Sequence, residues 1–180
     1  MRITGGSLKG RTLPDKKLNL RPTTNRAKQG LLNMLNHRID WVSCKALDLF
    51  GGTGNLTFEM ASRGCLRVTA VEISKKNSNF IRQNLMRLGL NNVQVIRGNA
   101  LSFLQNTHES WTLIFCDPPY DFKNYDTIIK LIFDNRLLIK DGLLVIEHSR
   151  RTSFSSSNYY IEQRKYGEVN FSFFGYNGML

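Results

Sequence analysis

The sequence predicts an α/β protein: a doubly wound, mostly parallel seven-stranded sheet with a C-terminal antiparallel hairpin and a small basic N-terminal extension. Two observations carry this. Five short apolar runs alternate with amphipathic stretches of helix length, and after Ser149 that alternation stops. Strands separated by helices of this size need crossover connections, which give a parallel sheet covered on both faces.

K-A-L-D-L-F (45–50) reads as the first buried strand, and N-L-T-F-E-M-A-S-R (55–63) as a helix stopped by Gly64. V-T-A-V-E (68–72) is the second strand. Ser74 then caps a helix that runs to about Leu88 and closes at Gly89. V-Q-V-I-R (93–97) is a third strand and Ala100–Gln105 a short helix. T-L-I-F-C (112–116) is the fourth strand, N-Y-D-T-I-I-K-L-I-F (124–133) a helix, and L-L-V-I-E (143–147) the fifth strand. Beyond the polar loop R-R-T-S-F-S-S-S, 158–165 and 169–176 read as two strands around a turn at Gly167.

Residues 1–40 have a different character, and 41–180 form the main domain. I-T-G-G-S-L-K-G-R-T-L reads as a basic hairpin with turns at Gly5-Gly6 and Gly10. R-P-T-T (21–24) leads into a helix over 25–38, whose Leu31, Leu32 and Leu35 face inward while Arg26, Lys28 and Arg38 face solvent. This piece is too small to hold a core alone.

A chain of 180 residues is long enough for one domain with a substantial core. No apolar run approaches a membrane span, and M-R-I-T-G-G-S lacks a signal-peptide stretch. Cys44, Cys65 and Cys116 are odd in number and lie in or beside apolar runs, as reduced core thiols of a cytoplasmic protein do. Neither they nor His37, His108 and His148 have metal-ligand spacing. The net charge is +11, and residues 1–40 hold nine Lys/Arg against two acids. A local basic excess of this kind fits a polyanion such as nucleic acid, or a solvated basic face.

The first strand runs into D-L-F-G-G-T-G-N-L (48–56) and then directly into a helix. Glycines let a backbone pass close under a ligand, and the helix start offers free N–H groups. With Asp48 before the loop and Glu72 at the end of the second strand, this is the geometry of an adenosine site, the second-strand acid taking the ribose hydroxyls. A dinucleotide fingerprint needs glycine where Thr57 stands, and Asp48 is poorly placed beside a pyrophosphate. The acid suits a cationic ligand such as S-adenosylmethionine. After the third strand, G-N-A (98–100) puts Asn99 where it can accept from an adenine amine, or simply make a turn.

D-L-F-G-G-T-G, the V-E of the second strand, G-N-A and D-P-P-Y (117–120) occur in the order seen in class I S-adenosylmethionine-dependent methyltransferases. G-G-x-L-K-G-R-x-L (5–13) followed by L-R-P-T-T-x-R (20–26) is similar to the RsmD family of 16S ribosomal RNA guanine-N2 methyltransferases. The resemblance spans essentially the whole chain and implies a Rossmann-like fold, S-adenosylmethionine as cofactor and a guanine of 16S rRNA, family site 966, as substrate. It further implies a small ribosomal subunit or assembly intermediate as partner, no metal or membrane, and a monomer. On this alignment Asp48, Phe50, Gly51, Gly52, Gly54, Glu72, Ile73, Asn99 and Ala100 hold the cofactor. Asp117, Pro118, Pro119 and Tyr120 form the catalytic motif. Three positions depart from the family pattern: Asn25, Gln29 and Asn99 stand where acids are usual. An amide at 99 gives adenine a bond without charge assistance, so weaker cofactor affinity is expected.

Guanine N2 is a poor nucleophile, so the enzyme's main task is positioning. Asp117 and the Pro118 carbonyl can accept the two amine hydrogens and turn the nitrogen lone pair toward the methyl, with Tyr120 as a stacking face. Phe122 and Tyr125 are candidates for shaping the base pocket. Glu147 and His148 read as supporting rather than catalytic. Arg2, Lys9, Arg11, Lys16, Lys17, Arg21 and Arg26 are the candidates for RNA phosphates. The same amine geometry serves DNA adenine N6 or a protein glutamine, and a non-catalytic S-adenosylmethionine- and RNA-binding module is a further alternative. An NAD-dependent oxidoreductase is disfavoured by Thr57.

Overall fold

The computed structural model describes residues 1–14, 22–119 and 121–176, with the side chains of 22–26 left aside. Seven strands form one sheet: β1 (Lys45–Asp48), β2 (Arg67–Glu72), β3 (Val93–Arg97), β4 (Trp111–Cys116), β5 (Leu138–His148), β6 (Tyr160–Tyr166) and β7 (Val169–Phe174). Their order is β3-β2-β1-β4-β5-β7-β6. The first five are parallel, while β7 runs antiparallel to both β5 and β6. The C-terminal hairpin therefore has its second strand inside the sheet and its first at the edge. The sequence order reverses direction at β1, between β2 and β4, which is the switch point where α/β sheets bind ligands.

Alternation along the strands sorts the core into two faces. Leu113 and Phe115 of β4, Leu143 and Val145 of β5, and Phe171 and Phe173 of β7 pack on one side. There they meet α1 (Pro22–Leu35) and α2 (Asn55–Ser62). Ile114, Cys116, Leu144, Ile146 and Phe174 face the other way. They meet α4 (Ala100–Asn106) and α5 (Tyr125–Asp134). A register shift between Trp111 and Leu113 moves Trp111 to the α4–α5 side, against its parity. α3 (Lys75–Leu88) starts at the Ser74 cap and ends at Gly89 in the left-handed region. All three cysteines are buried and free. No described helix is long and apolar enough to cross a membrane.

The expected N-terminal hairpin is present in short form, with an antiparallel bridge of Arg2 with Thr12 and glycine turns at Gly6 and Gly10. The segment departs from expectation in two ways. α1 starts at Pro22 and stops at Leu35, three residues earlier at each end than the periodicity suggested. Proline favours the first helical turn, where its missing N–H costs nothing. Arg38 does not simply face solvent either: it pairs with Glu162 at 2.6 Å and lies over the Phe173 ring.

Ile3 and Leu13 are buried against Phe58, Ile81 and Leu85, at about 2 kcal/mol of stabilisation per side chain. The backbone follows. The Ser7 N–H donates to the Ser62 carbonyl at 2.7 Å, the Leu8 N–H to Ser62 Oγ at 2.9 Å, and Ser62 Oγ to the Gly5 carbonyl at 2.7 Å. Gly6 makes this lacing possible: its φ is +75°, and a Cβ there would lie 1.7 Å from the Ser62 carbonyl oxygen. Gly6→Ala is expected to lower unfolding stability by about 2–4 kcal/mol, through both the left-handed backbone and the clash. Urea denaturation of the variant beside wild type measures it; a loss below about 0.5 kcal/mol would mean the segment is not held this way.

Candidate active site

The carboxyl ends of β1, β2, β4 and β5 each finish in or lead to an acid: Asp48, Glu72, Asp117 and Glu147. Asp48 follows Ala46 by two residues, Asp117 follows Phe115, and Glu147 follows Val145, all of which pack on the α1–α2 side. Period-two alternation therefore turns these acids toward the same face, and Glu72 shares the parity of Val68. A cavity of about 570 Å³ opens there. Its wall includes Asp48, Phe50, Gly51, Gly52 and Thr53 of the glycine loop, Asn55 and Leu56 of α2, Lys76, Asn77 and Phe80 of α3, and Asp117 and Lys28.

The glycine loop is a tight turn tied to its neighbours. The Gly51 N–H donates to the Val71 carbonyl at 2.8 Å and the Gly54 N–H to the Gly51 carbonyl at 2.7 Å. Gly54 has φ +83°, and a Cβ on it would sit 2.7 Å from the Phe58 ring, so glycine is required by backbone and packing alike. α2 begins without a side-chain cap, and its first two residues line the cavity, so its free N–H groups are available to an anionic group.

Asp48 is buried, and Thr57 Oγ1 donates to its Oδ2 at 2.6 Å. Burial pushes its pKa up to about 6, although the Thr57 hydrogen bond and Lys28 work against the rise. Glu72 accepts from the Gly52 N–H and the Ser74 N–H, each at 2.7 Å, and these bonds clamp the loop to the end of β2.

Asp117 ends β4 half-buried, followed by buried Pro118 and exposed Pro119. The Pro119 carbonyl accepts from the Phe122 N–H at 3.0 Å, while that of Pro118 accepts no hydrogen bond among the described residues. Phe122 packs edge-on against both Phe50 and Tyr125, at ring separations of 5.5 and 5.2 Å. The candidate base-pocket aromatics thus join the cofactor loop to α5. Tyr120 lies outside the described residues.

Gly54, Glu72, Ile73, Asn99 and Ala100 are not in the cavity wall. Ile73 is a bare apolar side chain, 67% exposed. Asn99 Oδ1 accepts from the Ser102 N–H at 3.1 Å and caps α4, the turn role that its type also predicted. Arg2, Lys9 and Arg11 are exposed on the N-terminal segment. Lys16, Lys17 and Arg21 fall outside the described residues, as does the Arg26 side chain.

Lys28 is the main correction. Expected in solvent, it is only 18% exposed and its Nζ lies 3.1 Å from Asp117 Oδ2. Burial would lower its pKa, but Asp117, Glu147 and Asp48 outweigh burial and the net direction is up. The signal was present: Lys28 precedes Leu31, Leu32 and Leu35 by three, four and seven residues, so it continues their inward stripe. Glu147, expected as a supporting residue, lies beside this ion pair. Burial first, then Asp117, push its pKa up to about 8, with Lys28 pulling the other way, and its Oε2 is buried with no partner. His148 is a structural residue as expected: Nδ1 donates to the Ser149 carbonyl at 2.9 Å and Nε2 accepts from Ser172 Oγ at 2.8 Å. Burial lowers its pKa and keeps it neutral.

Comparison with known proteins extends this geometry. The family model described as conserved hypothetical protein 95 matches residues 1–175. Ribosomal RNA small subunit methyltransferase D of Buchnera aphidicola subsp. Baizongia pistaciae is 36% identical over 149 residues, covering 82% of this chain and 75% of the relative. The protein of the same name from Escherichia coli K12 is 35% identical over 148 residues, covering 82% and 74%. The structure of E. coli yhhF superposes with a TM-score of 0.85 at 31% identity, over 97% of this chain and 96% of that one. The fold is thus Rossmann-like, of class I. From Met1 to Gly175 the chain belongs to the conserved hypothetical protein 95 family, the RsmD family that its motifs resemble.

Proposed function

We propose that this protein transfers a methyl group from S-adenosylmethionine to the exocyclic N2 amine of a guanine in 16S rRNA, the family site being guanine 966. The observation that carries the reading is Asp117, fixed at the end of β4 and opening on the cavity beneath the glycine loop. The relatives' names supply the RNA class.

The residues present fit the cofactor. A cavity of about 570 Å³ lies in the range of small-molecule sites. Asp48 offers a negative charge to the ligand's ammonium, and the uncapped start of α2 suits its carboxylate. Each Glu72 oxygen has spent one lone pair on a backbone N–H and keeps another for a ribose hydroxyl. Exposed Ile73 offers an apolar surface to adenine, with Gly98-Asn99-Ala100 beside the end of β3. Bound there, S-adenosylmethionine supplies an activated methyl whose carbon–sulfur electron pair leaves with the sulfur. Asp117 and the Pro118 carbonyl accept the amine hydrogens and direct the lone pair at that methyl. The nitrogen becomes positive as it gains the methyl, and Asp117 stabilises that charge and takes the excess proton. Arg2, Lys9, Arg11, Lys16, Lys17, Arg21 and Arg26 supply charge for phosphates.

Labelled S-adenosylmethionine and undermodified small-subunit rRNA, naked or in particles, give the direct test: label is expected in N2-methylguanosine. Label in N6-methyladenine, or no transfer by a folded, cofactor-bound protein, defeats the reading. Asp117→Ala is expected to slow single-turnover transfer at least about 100-fold while cofactor Kd stays within about threefold, by calorimetry. An equal collapse of binding would make Asp117 a cofactor residue instead.

Cofactor affinity is also expected to depend on pH. Asp48 has a raised pKa of about 6, so it is neutral below that value and attracts an ammonium only above it. Between pH 7.5 and pH 5 the calorimetric Kd should rise by about tenfold, and Asp48→Asn should flatten the profile. A wild-type Kd constant over that range would exclude Asp48 as the ammonium's partner.

A further inference from the structure

Lys28 stands between two cavities. It lines the main one together with Asp48 and Asp117, and it lines a smaller one of about 140 Å³ with Arg2, Gln29 and Glu59. Its place is set by the core: Ala27, Leu31, Leu32 and Leu35 of the same helix are buried against the sheet. The ammonium therefore arrives over the strand ends by packing, not by a free search of a long side chain.

Every element around it contributes a titratable group. β1 presents Asp48, the end of β4 presents Asp117, and β5 presents Glu147. On the opposite face of the sheet, the Tyr125 phenol of α5 and the Cys116 thiol of β4 lie within electrostatic reach of Asp117. Burial holds both in their neutral forms, the phenol pushed up to about 12. Lys28 is the cation that acts on both Asp48 and Glu147. Two carboxyl groups at adjacent strand ends cannot both carry charge cheaply without such a cation.

We propose that Lys28 is a positioning residue of methyl transfer: its ammonium, 3.1 Å from Asp117 Oδ2, fixes that carboxylate for the incoming amine. The claim rests on Asp117 being the amine acceptor. The N-terminal helix then belongs to the reaction centre as well as to the RNA-facing segment. No new bond is involved. Lys28 acts through Asp117, and the amine's proton leaves to Asp117 and then to solvent.

The test compares Lys28→Met and Lys28→Arg with wild type in single-turnover transfer across pH 6 to 9. Thermal melts are recorded for each protein. Lys28→Met is expected to be about 30- to 100-fold slower at pH 7, with cofactor Kd within about threefold. Its rate should recover as pH rises, because the carboxyl pair now holds its proton more tightly. Lys28→Arg keeps the charge and should retain at least about a tenth of the wild-type rate. A Lys28→Met rate within about threefold of wild type, an unchanged pH profile, or no rescue by arginine would each overturn the proposal.

A second measurement needs no RNA and stands apart from the substrate assignment. The Glu147 carboxyl, followed by ¹³C NMR, should titrate near 8 in wild type and at least about one unit higher in Lys28→Met. If that titration does not move, the cluster is not coupled as proposed, whichever base is methylated. If it moves and wild type methylates no guanine, the substrate reading fails and the cluster stands.

Discussion

The site depends on one constraint, which is that side chains alternate along a strand while parallel strands end together. Ala46 and Asp48, Phe115 and Asp117, Val145 and Glu147 are three instances of the same step, from a core position to a strand-end position on the same face. Once these strands were paired in register, their acids had to converge. Like charges about 4 Å apart repel by roughly 4 kcal/mol at an effective dielectric of about 20. The fold offsets that cost in three ways. Asp48 accepts from the Thr57 hydroxyl, Glu72 accepts two backbone N–H groups, and Asp117 meets an ammonium from α1. Glu147 has no such relief at its buried Oε2, and holding a proton is its way of staying neutral.

That arrangement makes the N-terminal helix part of the cluster of acids at the strand ends. α1 covers the acidic face because its leucines complete the core of that face. The preceding segment is anchored separately, to the far end of α2. There the buried Glu59 accepts from the Thr4 N–H at 2.7 Å and pairs with Arg63, whose guanidinium also reaches Thr4 Oγ1. An acid in the middle of a buried helix face is costly unless it is paired and hydrogen-bonded, and Glu59 is both. The exposed cations Arg2, Lys9 and Arg11 thus sit on a frame tied to the same helix whose first turn borders the cavity.

Much of this was legible in the sequence, for identifiable reasons. The strand runs, the glycine loop and D-P-P-Y are local signals, because a buried strand must be apolar and a sharp βα turn needs glycine. The strand boundaries shifted at β5, which begins at Leu138 where only Leu143 onward was expected, since the Trp111–Leu113 irregularity lets the strand pair start earlier. Residue type alone sends a lysine to solvent, whereas the spacing of Lys28 from Leu31, Leu32 and Leu35 places it on the buried stripe. Glu147 needed knowledge of which strands adjoin: its parity is in the sequence, but the proximity of Asp117 follows from β4 pairing with β5. Asn99 shows the limit of motif order, since the sequence cannot tell whether its acceptor caps α4 or meets a ligand.

The departure at Thr57 now has a physical cause. A dinucleotide loop would place glycine there to bring helix and strand close around a pyrophosphate. Here the hydroxyl is 2.6 Å from Asp48, holding a buried acid that a dinucleotide loop would not tolerate. Changing Thr57 to glycine would not create a dinucleotide site. It would take the hydroxyl's hydrogen bond from Asp48, and the carboxyl would become still harder to ionise. The threonine and the aspartate therefore select together for a ligand with positive charge near the glycine loop, and against one with two phosphates.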